Sequence, residues 1–204
     1  MKGVMIGRRS LLAAAALWTL LPFQAEAASA NPRVAIQTER GVIVVELEAT
    51  KAPISSANFL RYVDAGKYNG GTFFRASRTP GSPGAGTIQG DAARDARLFR
   101  PIAHESTQVT GLRHKAGTIS FARNAPGTAT SNFFICASAQ PYLDAHPGAR
   151  GDNQGFAAFG HVVSGMPVVR KILALPTNGQ ASDPAMKGQI LDPPVKILSM
   201  KRVG

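Results

Sequence analysis

Val34-Ala35-Ile36-Gln37 and Val42-Ile43-Val44-Val45-Glu46-Leu47, joined by Thr38-Glu39-Arg40-Gly41, are two β-branched runs on either side of a short polar connector. Such residues suit a pleated, half-buried surface, and Gly41 supplies the backbone freedom a tight reversal demands, so the stretch reads as a β-hairpin. Outward from it, short strands of the same kind recur at residues 72–75, 87–89, 117–122, 133–137, 158–163 and 195–202, with Gly- and Pro-rich connectors between them. Two helical patterns interrupt the series. One starts at Pro53, carries Phe59, Leu60 and Val63 at helical spacing and stops at Gly66; a shorter one covers residues 167–173. There is no β-α-β alternation, so a doubly wound sheet is not expected, and many short strands with only two helical patterns suggest an all-β-dominated fold, a closed antiparallel barrel with helices covering its ends. Residues 77–86 (SRTPGSPGAG) and 145–154 (AHPGARGDNQ) are rich in turn formers and are predicted as loops.

The 204-residue chain is 44% hydrophobic and 17% charged, a globular balance rather than that of a disordered tail. Its single cysteine, Cys136, excludes an intrachain disulfide framework and any multi-cysteine metal cage. The longest apolar run, residues 11–23, is shorter than the roughly 20 residues a spanning helix needs, so no transmembrane segment is expected. That run follows a basic start containing Arg8-Arg9 and precedes Ala25-Glu26-Ala27 and Ala28-Ser29-Ala30, both of the A-x-A cleavage type. Residues 1–30 therefore read as a signal peptide, removed after 27 or 30 by the Sec or twin-arginine route, and residues 31–204 as one domain delivered to the periplasm. Removing the leader takes away Lys2, Arg8, Arg9 and Glu26, so the formal charge falls from +11 to about +9. The basic residues are scattered between Arg33 and Arg202 without a basic helix or a basic-aromatic ladder, so the charge implies a solvated surface and no nucleic-acid partner.

Familiar chemistry is missing at several places where it begins to form. Gly84-Ala85-Gly86-Thr87-Ile88-Gln89 lacks the third glycine of a dinucleotide loop and is followed by no helix pattern. His104-Glu105-Ser106-Thr107-Gln108 starts like a zinc-protease helix but has Gln108 at the second ligand position, and His114, His146 and His161 have no ligand spacing. No G-x-S-x-G elbow occurs, although a Ser/His/Asp triad is a spatial arrangement that spacing alone leaves open.

What remains is a set of polar groups among aromatics: Gly71-Thr72-Phe73-Phe74-Arg75, Ile88-Gln89-Gly90-Asp91, Gly117-Thr118-Ile119-Ser120-Phe121-Ala122-Arg123, Ser131-Asn132-Phe133-Phe134-Ile135-Cys136, Tyr142-Leu143-Asp144 and Gly155-Phe156-Ala157-Ala158-Phe159-Gly160. In order and composition these blocks, with Asn58-Phe59, Pro101-Ile102 to Glu105, Gly111-Leu112 and the closing Pro194-Val195-Lys196-Ile197, resemble the cyclophilin-type peptidyl-prolyl cis-trans isomerases, especially their exported bacterial branch. The resemblance spans essentially all of residues 31–204. It implies an eight-stranded antiparallel barrel capped by two α-helices, isomerase (rotamase) activity on X-Pro bonds during folding of exported proteins, no cofactor, no metal, proline-containing polypeptides as partners and a monomeric chain.

Carried onto this chain, the resemblance makes Arg75 the catalytic residue. It makes Gln89 the holder of arginine and peptide, Phe134 the floor of the proline pocket, Leu143 its wall, and Ala122 with Arg123 the strand whose backbone pairs with the peptide. Asn132 stands where the family has glutamine, Tyr142 where it has tryptophan, and Phe156 where it has histidine. Gly86-Thr87 replaces an apolar Phe-Met pair, so a shallower pocket and only weak affinity for cyclosporin are expected. At about 25 cal/mol per Å², the lost contacts weaken proline-ring binding by one or two kcal/mol. Phe73, Phe121, Phe133 and Phe159 read as barrel core, Glu105 as a structural hydrogen-bond acceptor and Cys136 as a small buried hydrophobe. Two rival functions use the same residues: a chaperone module that grips proline segments with weak or no turnover, and a ligand-binding barrel that shares only the fold.

Overall fold

The computed structural model describes residues 31–204; the leader expected at residues 1–30 lies outside the described residues. Among them, eight strands, β1 (Arg33–Thr38), β2 (Gly41–Leu47), β3 (Thr72–Thr79), β4 (Ser82–Asp91), β5 (Thr118–Phe121), β6 (Phe133–Cys136), β7 (Ala157–Ser164) and β8 (Ile190–Val203), close a barrel in the order β1-β2-β7-β5-β6-β4-β3-β8. Every neighbouring pair is antiparallel. The expected closed barrel is therefore found, and the opening hairpin pairs Val34 with Val45 and Ile36 with Ile43.

Alternation builds the interior. Val34, Ile36, Ile43, Val45 and Leu47 are fully buried, and so are Phe73, Phe121, Phe133 and Phe159, as the sequence predicts. Helix α1 (Pro53–Asp64) inserts Phe59 among these rings, 5.6 Å from Phe133 and 5.3 Å from Phe159, while Phe121 and Phe159 stack at 4.5 Å. Aromatic contacts of this geometry add to the area they bury and fix α1 over the barrel interior. Helix α3 (Met166–Leu173) turns Val169, Ile172 and Leu173 inward and packs on β2, β3 and β4.

The start of α1 has a remote partner. Ala52, at the N-cap, offers no side-chain acceptor, and the carboxylate of buried Glu105 accepts from the amides of Ile54 (3.0 Å) and Ser55 (2.7 Å) instead. A negative charge suits the positive end of the helix, and hydrogen bonds to a charged group contribute about 1.5–3 kcal/mol each. Glu105 is thus the structural acceptor expected of it.

Two details differ from expectation. A third helix, α2 (Thr107–Thr110), adds a single turn closed by Gly111 in the left-handed region; four residues are too few to show a helical period. Residues 77–86 are not a loop: β3 and β4 continue as a hairpin to a reversal at Pro80-Gly81, with Ser77 opposite Thr87 and Arg78 opposite Gly86. The turn-forming composition misleads because Gly86 serves close strand approach; a Cβ there would lie 2.0 Å from the Ser77 carbonyl oxygen. Arg78 then ties the hairpin to the end of α3 through the carbonyl oxygens of Leu173 (2.9 Å) and Leu175. Residues 145–154 carry no strand or helix, as predicted, and none of the described helices is long and apolar enough to cross a membrane.

Candidate active site

One row of cross-strand pairs builds the site. Arg75 on β3 lies opposite Gln89 on β4, Gln89 opposite Phe134 on β6, and Phe134 opposite Ser120 on β5. Directly paired residues share a face, and since Ile88, Phe133, Ile135 and Ile119 occupy the interior, this row lies on the outer face. Arg75 gets there through a β-bulge. Phe73 pairs with Gly90 and Arg75 with Gln89, so two steps on β3 match one on β4. In a regular strand Phe73 and Arg75 would point the same way; the extra residue, Phe74, sends Phe73 into the core and Arg75 out. Gly90 makes room for this, since a Cβ there would meet the Phe133 ring at 3.0 Å and the Phe73 ring at 3.1 Å.

The half-buried guanidinium is held on two sides. Nη1 donates to Gln89 Oε1 (2.9 Å), and Nε and Nη2 donate to Gln189 Oε1 (2.8 and 2.6 Å). Gln89 in turn donates through Nε2 to Asn132 Oδ1 (2.7 Å), and Asn132 through Nδ2 to Asp91 Oδ2 (3.1 Å). Burial pulls the Arg75 pKa down, while the Tyr142 hydroxyl and the Asp183 carboxylate act against that shift. A guanidinium remains cationic throughout the physiological range.

Beside this fork lies a groove of about 600 Å³, and all nine residues singled out from the sequence line it. Phe134, 5% exposed, forms its floor and meets the edge of Phe156 at 5.6 Å; Leu143 and the largely exposed Tyr142 stand on a 3-10 turn (Pro141–Leu143). The Ala122 amide donates to the Asn132 carbonyl at 2.9 Å, which ties the end of β5 to the start of β6 beside the groove. Arg123 is committed elsewhere: it donates to Gly155 O (2.9 Å) and to both Asp152 oxygens (2.8 and 3.0 Å), and stacks 5.3 Å from the Phe156 ring. The pair draws the Asp152 carboxyl down to about 2 and straps residues 145–154 to the groove rim.

Sequence reasoning named neither Met186, which lines the groove, nor Gln189, which holds Arg75 from behind it. Met186, on a 3-10 turn (Pro184–Met186), lines the cavity that Thr87 also lines, so an apolar side chain is brought to the side of Gly86-Thr87 from a segment about 100 residues away. Gln189 follows three residues later. The only local signal is the turn-forming pair Asp183-Pro184, which says nothing of where the turn docks.

Beneath the floor, His114 stacks on Phe134 at 5.7 Å, with Nδ1 2.7 Å from Asp144 Oδ1 and Nε2 3.0 Å from Ser120 Oγ. This is the hydrogen-bond order of a hydrolytic triad, but Ser120 is fully buried and cannot meet a substrate. Burial lowers the His114 pKa more strongly than Asp144 raises it, so the ring is neutral, donating from Nδ1 and accepting at Nε2. Burial likewise pushes the Cys136 thiol up to about 12, which removes it as a nucleophile.

A closed antiparallel barrel with this outward groove is a cyclophilin-like architecture. Residues 33–202 match the family described as cyclophilin type peptidyl-prolyl cis-trans isomerase/CLD. The chain is 38% identical over 175 residues to a peptidyl-prolyl cis-trans isomerase of Acinetobacter baylyi, covering 85% of this chain and 87% of that protein. It is 36% identical to peptidyl-prolyl cis-trans isomerase A of Dickeya dadantii, with 84% and 87% covered. In fold it is similar to the crystal structure of a Cryptosporidium parvum cyclophilin (TM-score 0.63, 20% identity, 85% of this chain and 98% of that one). The chain belongs to the cyclophilin family and is a peptidyl-prolyl cis-trans isomerase.

The neutral His114 sets a pH dependence. Its folded pKa lies below the roughly 6.5 of an unfolded chain, so below that pH the unfolded state takes up a proton that the folded state refuses. Stability is expected to be level at pH 7–8 and to fall as pH drops below about 6.5. The carboxyls of Glu46, Asp64 and Asp152, lowered by their arginine partners, lose their contribution only at lower pH. Urea unfolding across pH 5–8 checks this: His114→Gln should be less stable at pH 8 and lack the decline between pH 7 and 5.5.

Proposed function

We propose that Arg75 accelerates rotation about X-Pro bonds by electrostatic stabilisation of the twisted amide. The observation that carries this reading is the cationic fork, held by neutral amides, at the edge of an aromatic-floored groove. The uncatalysed barrier is roughly 18–20 kcal/mol because resonance keeps the peptide planar. As the bond twists, resonance is lost, the nitrogen pyramidalises and becomes a hydrogen-bond acceptor. A donor aimed at that nitrogen therefore favours the twisted state over both planar ones. No bond breaks, so neither nucleophile nor general base is required. Phe134, Leu143 and Phe156 hold the proline ring, and Gln89, Asn132 and the backbone of Ala122 and Arg123 meet the flanking backbone. A cyclophilin of this fold has been crystallised in the presence of the dipeptide Ala-Pro, a ligand of the class this groove is suited to take.

A charged hydrogen bond is worth about 1.5–3 kcal/mol, or roughly ten- to a hundredfold in rate. Arg75→Ala should lower kcat/KM by at least that factor with an unchanged circular dichroism spectrum, and Arg75→Lys should not recover it, because an ammonium lacks the planar fork. A protease-coupled assay on an Ala-Pro tetrapeptide decides. Wild-type turnover in Arg75→Ala would refute the assignment, and no turnover in the wild type would favour the proline-gripping chaperone.

Cyclosporin should bind weakly. Tyr142 presents a smaller, largely exposed ring in place of an indole and a rotating hydroxyl in place of a fixed N–H, and one unpaired ligand carbonyl costs about 1–3 kcal/mol. Titration calorimetry should give tighter binding for Tyr142→Trp than for wild type; nanomolar wild-type affinity would contradict this.

The clients are exported proteins, met in the periplasm. The basic start, apolar run and A-x-A sites of residues 1–30 support this reading. Mass spectrometry of fractionated cells should find a periplasmic, monomeric chain beginning at Ala28 or Asn31; full-length protein in the cytosol would overturn it.

A further inference from the structure

The Arg75 guanidinium has five N–H groups, and three of them are already spoken for, one by Gln89 and two by Gln189. Gln189 comes from the segment between α3 and β8, outside every block that suggested the site from sequence. Its own position is fixed by its backbone: the Gln189 carbonyl accepts from the Ala76 amide (2.9 Å), immediately beside Arg75, and its amide donates to Met186 O (3.0 Å). The side chain is fixed as well, since Nε2 donates to Ala185 O at 3.1 Å and so turns Oε1 toward the arginine. An amide oxygen here restrains the guanidinium without a formal negative charge that would cancel it. The two remaining N–H groups, one on Nη1 and one on Nη2, are left for the substrate.

Resting on the reading of Arg75 given above, we infer that Gln189 is the positioning residue for Arg75: it sets the plane and direction of the guanidinium and thereby kcat, without touching the substrate. Gln89 alone holds one terminal nitrogen and leaves the side chain free to swing about that contact. Gln189, by taking Nε and Nη2 together, removes that rotation. Because precise orientation of a charged group matters far more in the transition state than in the ground state, its loss appears in kcat rather than KM.

The test compares wild type, Gln189→Leu, Arg75→Ala and the double variant, using exchange NMR on an Ala-Pro tetrapeptide, with thermal unfolding and an arginine-selective 15N spectrum recorded on each. Gln189→Leu keeps the side-chain bulk and removes the acceptor. It should lower kcat five- to twentyfold, change KM less than twofold and leave the melting temperature in place. The dispersed, slowly exchanging Arg75 Nε–H resonance should collapse toward that of a free arginine. Added to Arg75→Ala, Gln189→Leu should cause no further loss. Gln189→Glu keeps an oxygen at the same reach and should restore the Nε–H signal. A wild-type kcat in Gln189→Leu, an unchanged Nε–H resonance, or a further loss in the Arg75→Ala background would each overturn the inference while leaving Arg75 as the catalyst. Wild-type turnover in Arg75→Ala would instead remove the reading on which it rests.

Discussion

One unpaired step in a ladder sets what this barrel can do. Where β3 passes Gly90 and Gln89 of β4, it uses Phe73, Phe74 and Arg75 to cover two positions, and the surplus residue reverses the facing of everything after it. Phe73 keeps its place in the core beside Phe133, at 5.6 Å, and Arg75 emerges in register with Gln89, Phe134 and Ser120. Without the surplus step the guanidinium would point into the closed barrel interior, where an unpaired charge costs several kcal/mol. The core's need for aromatics and the site's need for a cation are thus reconciled by one local irregularity, which the missing Cβ of Gly90 accommodates.

The chain uses its arginines in two distinct ways. Arg33, Arg123 and Arg202 face carboxylates, Glu46 at 2.7 Å, Asp152 at 2.8 Å and Asp64 at 2.6 Å, and their charges are largely cancelled on or near the surface. Arg75 and Arg78 are held by amide and carbonyl oxygens instead. For Arg78 this is a strap between hairpin and helix. For Arg75 it preserves a positive field in a half-buried site, where charge acts at lower effective dielectric and therefore more strongly than in water. The nearest carboxylate in the hydrogen-bonded chain, Asp91, stands behind Asn132 and Gln89. It orients the relay from a distance at which it does not quench the guanidinium.

Most of the barrel was legible because alternation and β-branching are local: the β1–β2 hairpin, the buried phenylalanines and both longer helices follow from residues within a few positions of one another. The hairpin extension at residues 77–86 was not, since its glycines serve strand contact, which composition cannot distinguish from turn formation. Single-turn α2 was too short for a period. The nine candidate site residues came from the motif blocks, and all nine line one groove. Met186 and Gln189 escaped because what brings them there is β8 pairing with β3, Ile190 opposite Arg75, a long-range register with no local sign. For Arg123 the resemblance suggested the right neighbourhood, but its side chain is spent on residues 145–154.

These placements divide the site by mechanical character. The row Arg75, Gln89, Phe134 and Ser120 is carried by four adjacent strands, and the His114 stack braces its floor through hydrogen bonds to Ser120 and Asp144. A close-packed interior behind it gives that row little room to shift. The walls differ: Tyr142 rides on a 3-10 turn, Phe156 on a loop strapped by Arg123, and Met186 on a second 3-10 turn. Rotation about a prolyl bond asks for that division. The field that favours the twisted amide must be fixed in advance, because reorganising it during the reaction would return the energy gained. The surfaces that grip flanking residues must accept many sequences, and turns and loops adapt to them at less cost than strands.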